Sequence, residues 1–124
     1  MVVRIFQNAW FRRFVRREKI KESVLTDAIA RAEQGRVDTD LGGGVIKQRI
    51  ARPGQGKSGG YRTIIIFRKE NRAFFIYGFA KSDRENIAAD ELEAFKELAS
   101  KLLSLSDEQI ESLLLQGGLT EIKS

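Results

Sequence analysis

At 124 residues, 42% of them apolar and only one a proline, the chain has material for one folded core and little more. It holds neither cysteine nor histidine, which excludes disulfides, thiolate metal sites, cysteine nucleophiles, Ser-His-Asp triads and the usual histidine-based zinc hydrolases. The net charge of +5 is unevenly spread, with 18 Lys/Arg against 7 Asp/Glu in residues 1–81 and 4 against 10 beyond, which points to a polyanionic partner.

The opening MVVRIFQNAW lacks a long apolar stretch followed by a small-residue cleavage site, and no apolar run is long enough to cross a bilayer. A cytoplasmic protein with no membrane partner is therefore expected. Val2–Phe6 reads as a short first strand. Asn8 then suits the N-cap of a helix with Trp10, Phe11, Phe14 and Val15 on one face. Arg12, Arg13, Arg16 and Arg17 turn to its other face, as a solvated surface or a second nucleic-acid contact. A second helix starts at Ser23, spaces Leu25, Ala28, Ile29 and Ala32 for burial, and stops at Gly35. Residues 36–44, with two aspartates and three successive glycines, read as a loop.

Val45–Arg52 alternates, so Lys47 and Arg49 project from one face while Ile46 and Ile50 point to the other. Pro53 and the glycines at 54, 56, 59 and 60 predict a mobile loop that orders on binding. Tyr61–Arg68 and Arg72–Ala80 follow as strands joined at Lys69–Asn71. Alternation groups Phe75, Tyr77 and Phe79 on one face, against Phe74 and Ile76. Strands apolar on both faces belong inside a sheet, with cover that the N-terminal helices supply. Ser82 and Glu85 have capping-box spacing ahead of a helix striped by Ala88, Leu92, Phe95, Ala99, Leu102 and Leu103. Ser106 and Gln109 begin a last short helix that ends at Gly117. The expected fold is α+β: two N-terminal helices on an antiparallel sheet of three or four strands, then one or two C-terminal helices.

Two motifs are decoys. Gly56-Lys57-Ser58 resembles part of a phosphate-binding loop, but Ala51 stands where that motif needs glycine, and a strand follows where it needs a helix. Asp38 and Asp40 in a loop, and Asp90, Glu91, Glu93 and Glu97 on a helix, read as solvated carboxylates, so no metal site is expected. What remains is basic. Residues 41–69 carry Lys47, Arg49, Arg52, Lys57, Arg62, Arg68 and Lys69 with no acid. Lys47 and Arg49 share a strand face, Arg62 opens the next strand, and Lys81 ends the one after.

Such a cluster suits metal-free RNA cleavage. The 2′-OH attacks the adjacent phosphorus, a base takes its proton, cations hold the phosphorane charge and an acid protonates the leaving 5′-oxygen. Lysine serves as base or acid when neighbouring cations depress its pKa, and arginine grips phosphate in bidentate fashion. The residues alone leave three readings open: a solubilising strand face, simple nucleic-acid binding, and catalysis.

The run from Leu41 to Arg62, LGGGVIKQRIARPGQGKSGGYR, resembles the RelE/HigB branch of bacterial type II toxins. So do Tyr77-Gly-Phe-Ala-Lys-Ser-Asp-Arg84 and the helix carrying Glu91–Leu98. The likeness covers residues 1 to about 105. It implies one RelE-like domain over 1–124, with 105–124 as an extra helix and tail. It also implies a toxin that cleaves mRNA, usually in the ribosomal A site, without a cofactor. Its partners would be mRNA, the ribosome and a cognate antitoxin, often of helix-turn-helix type. By position, Lys47 and Arg49 match the basic pair for acid–base and phosphate work, with Lys47 the better base. Arg62 matches the arginine that stabilises the transition state, and Lys81 falls near a further basic residue. Some members carry a tyrosine or histidine shortly after that turn. Here Ser82, Asp83 and Arg84 occupy the region, which leaves the role to Arg84 or Tyr61. Arg52, Lys57, Tyr61, Arg68 and Arg84 are the expected RNA contacts. A ParE-like poison of DNA gyrase, or an RNA binder without catalysis, is the alternative.

Overall fold

A computed structural model describes residues 3–52 and 60–123. In chain order the elements are β1 (Arg4–Asn8), α1 (Ala9–Glu18), α2 (Glu22–Glu33), β2 (Thr39–Gly42), β3 (Val45–Ile50), β4 (Tyr61–Arg68), β5 (Arg72–Ala80), α3 (Ala89–Leu103), α4 (Asp107–Gln116) and β6 (Leu119–Ile122). The class is α+β, as expected, but the sheet is larger than three or four strands. Six strands run in the order β2-β3-β4-β5-β1-β6. The sheet is mixed, because β1 lies parallel to β5 while the other pairs are antiparallel.

Local chemistry accounts for the helix ends. The Asn8 side chain accepts the Phe11 N–H at 2.8 Å, and Gly35 follows α2 with a positive φ of 83°. Ser106 and Gln109 cap α4 reciprocally, and Gly117 closes it with a φ of 80°. The Ser82–Glu85 spacing, by contrast, starts nothing. α3 begins at Ala89, where the Glu91 carboxylate accepts the Ala88 N–H at 2.7 Å.

Both sheet faces are covered. α1 and α2 bury Phe11, Phe14, Leu25, Ala28 and Ile29 against Ile46, Ile50, Tyr61, Ile65 and Phe75. On the opposite face Ala99 and Ile110, with Leu92 and Phe95, pack on Phe6, Val45, Ile64, Ile66, Phe74 and Ile76. The apolar character of both faces of β4 and β5 is thereby explained.

Three features depart from the sequence reading. Within residues 36–44 lies an edge strand, β2, whose mostly exposed TDLG carries no apolar alternation. Residues 119–122 are a strand beside β1, where a tail was expected, with Phe6 opposite Glu121. Finally, β5 contains a bulge: Ile64 pairs with Tyr77, but Ile65 pairs with Phe75. The extra residue, Ile76, breaks the alternation. Phe75 faces α1 (4.9 Å between its ring and that of Phe11), whereas Tyr77 turns to the α3 face, 5.7 Å from Phe95. Phe75, Tyr77 and Phe79 therefore do not share one face.

Gly78 returns to the α1 face, and a Cβ there would sit 2.7 Å from the Phe14 ring. Phe14 is itself packed by Trp10, Phe11 and Tyr61 and has little room to move. Gly78→Ala is thus expected to cost about 1–3 kcal/mol in urea unfolding, and an unchanged midpoint would show that α1 yields freely. A charge pair ties β6 to β1. Arg4 holds the Glu121 carboxylate through Nε at 2.9 Å and a second N–H at 3.0 Å. These bonds, more than that from Lys123, hold the Glu121 carboxyl below its ordinary value of 4.5 although burial opposes them. The contribution is therefore complete above that value and disappears as pH falls through the lower folded one. Between about pH 7 and about pH 3 the wild type should lose about 1 kcal/mol more stability than Glu121→Gln. Parallel losses in urea titrations at the two pH values would refute the link.

Candidate active site

β3 and β4 pair so that Arg49 stands opposite Arg62 and Lys47 opposite Ile64. Period-two alternation then sends Lys47, Arg49 and Arg62 to the α3 face. α3 covers only part of that face. Its later turns lie against the β2–β3 turn, where a Cβ on Gly44 would come within 2.8 Å of Leu103. Arg49 is exposed and Lys47 half-buried, although Ile64 beside Lys47 is covered by α3. Phe79 sits opposite Arg62 on the same surface, because the bulge in β5 has turned it and Tyr77 there.

Asp38, Thr39, Lys47, Arg49 and Arg62 line one concavity of about 250 Å³. That is smaller than the roughly 300–1,000 Å³ usual for a site that engulfs a small ligand. It suits a group presented by a longer chain. Among the described residues, three cations face one carboxylate there. Like charges directly opposite on adjacent strands repel, and Asp38 relieves this. Its carboxylate accepts the Arg49 backbone N–H at 2.6 Å and lies 3.5 Å from the Arg49 guanidinium. Arg31 of α2 lies 3.8 Å from the same carboxylate and donates to the Arg49 carbonyl at 2.8 Å.

Gln48, fully buried between Lys47 and Arg49 in sequence, fixes this corner from the opposite face. Its side chain accepts the Asp38 N–H at 2.7 Å and donates to the carbonyls of Ala28 (3.0 Å) and Arg36 (3.3 Å). Asp38 is consequently not a solvated loop acid. Neither Arg31 nor Gln48 was singled out from the sequence, although a glutamine between Ile46 and Ile50 on an apolar face was a visible signal.

Arg62 is buried to 9% exposure. Burial, and then the nearby Arg49, push its pKa down, while Asp38 acts the other way. The guanidinium remains a cation. Its desolvation strengthens its attraction for an arriving anion. The Lys47 ammonium donates to Asn86 Oδ1 at 3.1 Å, so its partner is a neutral amide that leaves its charge uncancelled.

The remaining expected residues are distributed differently. Lys81 is exposed just past β5, two residues beyond Phe79, and outside the lining of the concavity. Its N–H bonds the Gly60 carbonyl at 3.3 Å. Tyr61 is buried on the α1 face, across the sheet from Arg62, and its hydroxyl donates to Glu18 at 2.7 Å. Burial, and then Glu18, raise its pKa. It therefore faces away from the cations and supplies them no proton. Arg52 lies over the Tyr61 ring at 5.5 Å, beside a second concavity lined by Arg17, Glu18, Lys19 and Lys21. Arg68 is at the far end of β4, about 20 Å of strand from Arg62. There it donates to the Leu103 carbonyl at the end of α3, so it serves the fold and not this surface. Arg84 is held by both Glu91 oxygens and by the Tyr77 hydroxyl at 3.1 Å, with its guanidinium 5.5 Å from the Phe79 ring. Glu91 is correspondingly a bound acid, held below its ordinary pKa chiefly by Arg84. Lys57 and the loop expected to order on binding lie outside the described residues. Among the described residues, no group of three or more acids gathers as a metal site would require, and no helix is long and apolar enough to cross a membrane.

No curated protein matches the chain at a significant level. A sequence model described as the RelE toxin of the RelE/RelB toxin–antitoxin system matches residues 3–122. The match runs past the point near residue 105 where the resemblance had ended, and takes in α4 and β6, consistent with β6 being part of the sheet. With nearly its whole length matched, the chain belongs to the RelE toxin family of toxin–antitoxin systems.

Proposed function

We propose that this toxin is a metal-independent endoribonuclease that cleaves mRNA on the ribosome. The observation that carries the reading is the convergence of Lys47, Arg49 and Arg62 in one shallow concavity beside a single acid. Membership of a toxin–antitoxin family implies a cognate antitoxin; we take it to be a helix-turn-helix protein.

In this reading the scissile phosphate enters between Arg49 and Arg62. Lys47, in its neutral form, takes the proton from the 2′-OH as that oxygen bonds to phosphorus. Arg49 and Arg62 hold the non-bridging oxygens as their charge grows, with little reorganisation because Asp38 and the strand pairing already hold them. The bond from phosphorus to the 5′-oxygen breaks, and Lys81, as ammonium, protonates that oxygen. The products are a 2′,3′-cyclic phosphate and a 5′-hydroxyl. Phe79, buried opposite Arg62 on β5, backs that arginine from within the sheet. Arg84, engaged by Glu91 and the Tyr77 hydroxyl, has no role in proton transfer.

Primer extension on a reporter mRNA in a translating extract tests the proposal. The wild type should give discrete cuts. Arg62→Ala should lower them about 10²–10³-fold, and Arg62→Lys should restore only part of the rate because it lacks the bidentate fork. Since Arg62 is buried, each variant's melting curve is measured alongside, so that loss of fold is not scored as loss of chemistry. Growth arrest with no cuts and with DNA damage would replace this reading with a ParE-like gyrase poison. RNA binding without products would make the concavity a docking surface.

A further inference from the structure

The loop from Lys81 to Ala88 is tied together by side chains in a way the proposed chemistry does not by itself require. Arg84 Nε donates to the Asn86 carbonyl at 2.9 Å. The same guanidinium is clamped by Glu91 and by the Tyr77 hydroxyl. Glu91 also accepts the Ala88 N–H at 2.7 Å, fastening the loop to the first turn of α3. Asn86 is thus held by its own carbonyl, and its side chain is aimed by a bond from the Ile87 N–H to Oδ1 at 2.9 Å. Among the described residues, the distant group that shares this oxygen is the Lys47 ammonium, 3.1 Å away and 39 residues earlier in the chain.

A lysine amine at the end of four methylenes has no fixed direction of its own. A proton acceptor in the proposed reaction needs one, since its lone pair must point at the 2′-OH within hydrogen-bond reach. From this geometry we infer that Asn86 is a positioning residue: it accepts one N–H of Lys47 and so directs the rest of that nitrogen into the concavity. A carboxylate would also orient the amine, but would strongly favour the ammonium, which has no lone pair to accept the proton. A neutral amide orients it with a weaker bias of that kind. Arg84 and Glu91 act one step further back, by holding the Asn86 backbone. This inference rests on the nuclease reading for its consequence, although the Asn86–Lys47 contact can be tested without it.

The experiment combines a mutant cycle with a side-chain order measurement. Single-turnover cleavage is compared for wild type, Asn86→Ala, Asn86→Ser, Lys47→Ala and the Lys47→Ala/Asn86→Ala pair. Asn86→Ala is expected to slow cleavage by about 10–100-fold, with half-saturation changed less than twofold and the melting curve retained. Asn86→Ser keeps a short acceptor for the Ile87 N–H but cannot reach Lys47, so it should lose as much as alanine. In the Lys47→Ala background, removal of Asn86 should cost nothing further, because its effect passes through that lysine. NMR relaxation of the Lys47 Cε methylene should show an ordered end in the wild type and a mobile one in both Asn86 variants. Full activity in Asn86→Ala, recovery in Asn86→Ser, or an undiminished loss in the Lys47→Ala background would overturn the inference. If the wild type cuts no RNA, the nuclease reading falls, and the order measurement still decides whether Asn86 positions Lys47.

Discussion

Two arginines directly opposite each other on neighbouring strands repel, and most of this surface is arranged around tolerating that pair. Arg49 and Arg62 are brought together by the β3–β4 register, and no slip of that register is cheap. A one-residue shift would send Ile46 and Ile50 out of the α2 interface and the cations into it. The apolar face thus enforces what the charged face resists. Asp38 reduces the strain from the side, and Arg31 secures Asp38 from α2. The positive charge is offset without being neutralised. That imbalance is what an anion would meet.

Gln48 shows how closely scaffold and site are joined. A fully buried amide must satisfy its hydrogen bonds internally, and it does so with Asp38, Ala28 and Arg36. One face of β3 therefore anchors α2 and the approach to β2, while the other displays Lys47 and Arg49. The bulge at Ile76 does similar work on β5. Without it, Tyr77 and Phe79 would turn towards α1, and Arg62 would lose the aromatic surface beside it. Beyond β5, Arg84 and Glu91 secure a loop whose Asn86 returns to Lys47. Contributions from several separate segments thus meet on one patch of sheet.

Several expected roles were redistributed for reasons that spacing cannot carry. Tyr61 is adjacent to Arg62, and adjacency in a strand places it on the opposite face. Arg68 shares β4 with Arg62 but lies at its other end, where the last carbonyls of α3 attract it. Arg84 was read as an RNA contact and is instead clamped by Glu91, an acid that had been read as solvated. Charge counts along a chain do not say which charges will meet.

The sequence by itself determined the class, the central strands, most helix starts and stops, and the face shared by Lys47 and Arg49. These rest on periodicity and caps, which act over a few residues. The tertiary structure decided the edge strands β2 and β6, since strands of four residues have too little alternation to be read alone and exist because a neighbour pairs with them. It also decided the mixed sheet, the turn of Tyr77, the burial of Arg62, and the meeting of Asp38 with Arg49 and of Asn86 with Lys47. Each of those depends on groups brought together across 10 or more residues of chain. Such contacts are set by register and packing, which the local pattern permits but does not specify.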